Sequence, residues 1–109
     1  MKLLTKEIKE KLPELYSQEG VPLEEQQIIV KFFTPDGGAT WYAVEGSEQE
    51  DGNWIFFGYV DLGVGFPELG YFTLNELQGI RGVLGLPIER DKHFGYSHTL
   101  AEVMQKHEG

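Results

Sequence analysis

The spacing of apolar positions changes twice along this chain, from every fourth residue to dense, near-alternating runs and back to helical spacing. Leu4, Ile8 and Leu12 recur every fourth residue with charged residues between them, the pattern of one apolar stripe on a helix. Thr5 stands where a hydroxyl caps a first turn and Pro13 stops the ladder, so a short amphipathic helix is predicted over residues 6–12. The segment LPELYSQEGVPLEEQQ, from Leu12, is polar and broken by Pro13, Gly20 and Pro22, and reads as an irregular connection.

Three runs of strand composition follow: IIVKFFT from Ile28, TWYAVEG from Thr40 and WIFFGYV from Trp54, all rich in β-branched and aromatic residues. PDGGA joins the first two and SEQEDGN the next two, each with glycine to supply a tight reversal. GYFTL from Gly70 is a fourth strand. Helical spacing returns at Leu74, Leu77 and Ile80, and again at Leu100, Val103 and Met104. Each of these helices opens on T-x-x-E, Thr73 with Glu76 and Thr99 with Glu102, the signature of a capping box. The pattern predicts one α+β domain over 1–109, a four-stranded antiparallel sheet in meander order with three short helices.

Alternation along the strands assigns side chains to faces. With Lys31, Glu45 and Asp61 outward, Ile28, Val30, Phe32, Tyr42, Val44, Trp54, Phe56 and Val60 point to the core. The opposite face then carries Ile29, Phe33, Trp41, Ala43, Ile55, Phe57 and Tyr59, which is too apolar for open solvent. Either the chain's own helices cover it, or Phe33, Trp41, Phe57 and Tyr59 form a protein-binding face.

Charge narrows the function. The net charge is −9, and no lysine or arginine falls between Lys31 and Arg81. Affinity for nucleic acid rests on cations that neutralise phosphates, so an aromatic sheet face of this kind is not expected to bind DNA or RNA. The chain lacks cysteine, which excludes thiol nucleophiles, thiolate metal sites and disulfides. His93, His98 and His107 have no metal-ligand spacing, so neither a metal nor another cofactor is expected. The opening MKLLTKEIKEKL lacks the apolar core of a signal peptide, and no apolar run approaches the ~20 residues of a membrane span, so a cytoplasmic location is expected.

Two stretches raise the question of chemistry. In LPIERDKHF, from Leu86, His93 is the residue type most used as a general acid or base, Glu89 or Asp91 could orient it, and Arg90 could hold an anion, so these four form a candidate ligand site. The favoured reading is a solvated turn between two helices whose alternating charges neutralise one another. The glycines of DLGVGFPELG resemble part of a phosphate loop, but Pro67 interrupts them and they run into a strand rather than a helix start.

VKFFTPDGGATWYAVEG, FFGYV followed by ELGYFTLNEL, GLPIERDKHF and the opening MKLLTKEI together resemble a bacterial and phage family defined by a domain of unknown function, DUF2958, often carried on plasmids and integrative elements. The likeness spans nearly the whole chain. It implies a mobile-element setting and brings no reaction or ligand set with it. The expectation is therefore a non-enzymatic, protein-binding accessory of a mobile element, of which an acidic DNA mimic aimed at a defence enzyme is a special case. The alternative is a small enzyme or ligand-binding domain built on Glu89, Arg90, Asp91 and His93.

Overall fold

In the computed structural model, which describes residues 1–108, each helix begins where a threonine hydroxyl accepts a hydrogen bond from a helix-start amide. Thr5 Oγ1 accepts from Ile8 N–H at 3.2 Å, Thr73 Oγ1 from Glu76 N–H at 3.1 Å and Thr99 Oγ1 from Glu102 N–H at 3.3 Å. These start α1 (Lys6–Lys11), α2 (Leu74–Gly79) and α3 (Leu100–Glu108). A single 3-10 turn, Leu23–Glu25, interrupts the irregular segment after α1.

The strands are β1 (Val30–Phe33), β2 (Thr40–Glu48), β3 (Trp54–Asp61), β4 (Glu68–Thr73) and β5 (Glu89–Arg90), in the order β4-β3-β2-β1-β5. All pairings are antiparallel, and β1 to β4 form the expected meander. The sheet nevertheless has five strands, not four. Its fifth comes from the segment read as a turn between helices: Arg90 pairs with Phe32 and Glu89 with Phe33. Here the backbone is recruited to satisfy the amides and carbonyls along the outer edge of β1, a role that needs no strand-like side-chain pattern.

The helices divide between the two faces. Ile8 of α1 and Leu77 of α2 join Leu3, Leu4 and Leu12 against Val30, Phe32, Trp41, Ala43, Trp54, Phe56 and Phe72. On the other face Leu100 and Val103 of α3 pack with Ile28, Tyr42, Val44 and Tyr59, flanked by Leu23 of the 3-10 turn.

A β-bulge corrects the face assignment. Between β2 and β3 the register runs Ala43↔Gly58 and then Glu45↔Phe57, leaving Val44 as the extra residue. Alternation counted back from Glu45 therefore inverts, so Trp41 and Ala43 lie with Phe32, and Tyr42 lies with Tyr59. β3 keeps its expected parity, with Trp54 and Phe56 inward on the first face and Tyr59 on the second. Gly58 is required beside the bulge, because a Cβ there would stand 1.7 Å from the Tyr42 carbonyl oxygen.

Candidate functional site

The four residues of the charged stretch do not converge. Glu89 and Arg90 are consecutive in a strand, so their side chains leave on opposite faces. The Arg90 guanidinium turns to the Lys2 carbonyl, and its backbone N–H donates to Met1 Sδ at 3.1 Å. Asp91 lies 3.7 Å from Lys31 Nζ through Oδ2, while its Oδ1 accepts from the backbone N–H of exposed His93 at 2.9 Å. Arg90 and Asp91 do line a cleft of about 330 Å³ with Lys31, Lys92 and Tyr96; Glu89 and His93 do not line it. Lys31 also lies over the rings of Tyr42 and Phe94, at 5.8 and 5.6 Å. The cations of this cleft are thus largely engaged within the chain.

The expected aromatic face is split. Trp41 is buried under α1 and α2, and Tyr59 is buried under α3. Phe33 is half-buried where β1 meets β5. Phe57, also half-buried, lines an open groove of about 370 Å³ with Tyr16, Leu69 and Tyr71. Sequence reasoning missed Tyr16 because it lies in a polar, aperiodic stretch, and nothing there signals its left-handed backbone (φ 70°).

A polar network clamps α3 to the second face. Tyr42 Oη lies 2.7 Å from His107 Nε2, and His107 Nδ1 lies 2.7 Å from Asp61 Oδ2. The geometry suits a proton on Nδ1 shared with the Asp61 carboxylate, with Nε2 turned to the Tyr42 hydroxyl. Beside it the Tyr59 hydroxyl donates to Glu108 Oε2 at 2.5 Å. Asp61 also accepts from Gly63 N–H at 2.8 Å. That backbone bond and His107 hold its carboxyl below the usual range against the opposing effect of burial. Burial, reinforced by the charges of Asp61 and Asp91, pushes the Tyr42 phenol up to about 12. Tyrosine, histidine and aspartate are in the order of a proton relay, but a phenol this reluctant to ionise is a poor nucleophile at neutral pH, and its hydroxyl faces a helix. The arrangement is built to hold α3. No spacing in the sequence links residues 42, 61 and 107.

Apolar side chains concentrate at one end of the sheet. The β1–β2 turn, the β3–β4 connection and the approach to β5 all lie there, because Phe33, Thr40, Asp61, Glu68 and Glu89 are the strand ends on that side. Leu62, Val64 and Phe66 stand out from the β3–β4 connection, and Val83, Leu84 and Leu86 from the loop before β5; Phe66 is 83% and Val83 88% exposed. The β1–β2 turn ties the two loops into one surface. Asp36 Oδ2 accepts from Leu84 N–H at 2.7 Å and Leu86 N–H at 3.3 Å, while Gly63 (φ 80°) packs on Gly38. The available sequence signal was apolar residues set between glycines, in GVGF and GVLGL, where a loop would ordinarily be polar. Glu68 and Glu89 border this end, and the guanidinium of exposed Arg81 is bonded to the Gln78 and Ile80 carbonyls at 2.9 Å. Among the described residues no group of histidine and carboxylate side chains is arranged to hold a metal, and no helix is long and apolar enough to cross a membrane.

The chain belongs to a family described as proteins of unknown function (DUF2958), whose model matches residues 3–108. No curated protein matches it, and no solved structure does.

Proposed function

We propose that this family member is a non-enzymatic protein-binding accessory, acting in the cytoplasm in a mobile-element setting, and that it docks through the loop end of its sheet. One observation carries this reading: Leu62, Val64, Phe66, Val83, Leu84 and Leu86 are exposed together on two loops fastened to the same turn. Exposed apolar loops at one end of an acidic body fit a protein partner, because solvent exposure of such side chains is unfavourable until something covers them. With a net charge of −9, and Glu68 and Glu89 at the margin, the matching surface is an apolar one rimmed by lysine and arginine. An enzyme that holds nucleic acid presents lysine and arginine to the phosphates, and in the DNA-mimic reading those cations would face this chain's carboxylates. Direct binding to nucleic acid is not part of the proposal, since Lys31 and Arg90 are turned to Asp91 and the Lys2 carbonyl.

The test pairs wild type with Phe66→Ser and Leu84→Ser, both at exposed positions. A partner recovered from the producing cell is identified, purified and titrated against all three. Unchanged melting with binding weakened about tenfold or more by either variant, the scale of an anchor lost from an interface, is the expected result. Reconstituted binding that is indifferent to both substitutions overturns the reading.

A further inference from the structure

The open groove beside β4 has a chemistry of its own. Its walls are aromatic: Phe57 and Tyr71 have ring centroids 5.0 Å apart at 55°, and Tyr16 and Tyr71 6.2 Å apart at 56°. Solvent reaches these rings, since Tyr16 is 60% and Tyr71 56% exposed. The base of the groove is anionic. Glu45 is only 4% exposed, and its two oxygens accept from the backbone N–H groups of Tyr16 and Gln18 at 2.8 and 2.9 Å. Glu19 stands at the opening. No lysine, arginine or histidine lines the groove, and the ion pairs among the described residues involve neither glutamate. Partial burial, with Tyr16 and the charges of Glu45 and Glu19, holds the Tyr71 phenol above its usual range.

Aromatic faces attract cations through their quadrupole, and nearby uncompensated carboxylates add to the attraction. We propose that this groove binds the guanidinium of an arginine side chain presented by a partner protein. Arginine suits it better than lysine, because a planar, weakly hydrated cation stacks on the exposed face of a tyrosine ring while an ammonium keeps its water. The site lies on the second face of the sheet and does not depend on the loop end, so Phe66→Ser and Leu84→Ser leave it intact.

The experiment follows backbone amide resonances of the whole protein during titration with a short blocked peptide containing one arginine, and with its lysine counterpart. Saturable shifts centred on Tyr16, Phe57 and Tyr71 are expected, with the lysine peptide weaker by about threefold or more, a difference within the range of a cation–π contact. Tyr71→Ala should weaken arginine binding by about tenfold and Glu19→Gln by a smaller factor. Tyr16→Gly removes a ring while suiting the left-handed backbone at that position, so it tests the same wall with little risk to the fold. Equal affinity for both peptides, shifts scattered over the acidic surface, or binding unchanged in Tyr16→Gly or Tyr71→Ala would each overturn the proposal.

Discussion

On one face of the sheet Phe32, Trp41, Phe56 and Phe72 meet the leucines and isoleucine of α1 and α2 through apolar contact. On the other, Tyr42 and Tyr59 meet α3 through hydroxyls bonded to His107 and Glu108, with only Leu100 and Val103 of the helix fully buried. The same strands therefore present two attachments of different character. Apolar burial is indifferent to pH and to which hydrogen sits where. A hydroxyl–imidazole–carboxylate chain is directional, fixes one register for the helix, and responds to titration. The difference assigns the first face to holding the domain together and the second to holding one helix in place.

The largest effect should come from the first face. Phe56 is fully buried and its ring lies against Phe32, Trp54 and Phe72, so Phe56→Ala should lower unfolding free energy by about 3–5 kcal/mol in a denaturant titration. A loss under about 1 kcal/mol, the range of a surface change, would mean that the two attachments are not unequal in the way described.

An intermediate effect is expected at the second. His107→Ala leaves the buried Tyr42 hydroxyl and the Asp61 carboxylate each short of a partner, a loss of about 1–3 kcal/mol. Hydrogen exchange should accelerate along α3 and leave α2 near its original rate. Equal acceleration in both helices would show that α3 is not separately fastened.

The smallest and most selective effect is in pH dependence. Asp61 has a folded-state pKa below its unfolded value, so its contribution is complete above the ordinary carboxylate range and disappears as pH falls through the lower, folded value. Asp61→Asn should remove part of the acid-induced loss of stability. At the alkaline end, Tyr42 keeps its proton to about 12 whereas the unfolded chain releases it near 10, so stability declines between those limits. Tyr42→Phe should remove part of that decline, the rest belonging to Tyr59, whose phenol is pushed up by burial and its bond to Glu108. Unfolding curves at stepped pH for the two variants check both signs.

The three helices were legible because each carries a threonine cap and apolar residues at helical spacing, and four strands were legible from their β-branched and aromatic composition. What escaped was set by backbone pairing. Glu89 and Arg90 form a strand because β1 has an open edge, not because of their side chains. One unpaired residue, Val44, inverts the parity of Trp41 and Tyr42, and no single-sequence pattern reports a bulge. For the candidate sites, Phe57 lines an open groove, while Trp41 and Tyr59 are covered by helices whose placement no spacing in the sequence reports. The exposed loop apolars were readable as an anomaly of composition. The groove was not, because it joins residues from the irregular segment near Tyr16 to a strand edge far along the chain.

The fifth strand also bears on the order in which the domain assembles. β2, β3 and β4 are joined by short reversals, so their contacts are local and inexpensive in chain entropy. β5 meets β1 only after the chain between Phe32 and Arg90 has closed, and then through two paired positions. So short a pairing gains little until its neighbours are in place, which makes it a late arrival in folding and an early departure in local opening. The domain thus carries a seam along one edge of its sheet, where β5 would loosen first while the meander stays closed and Asp36 keeps the loop bearing Leu84 tied to the β1–β2 turn.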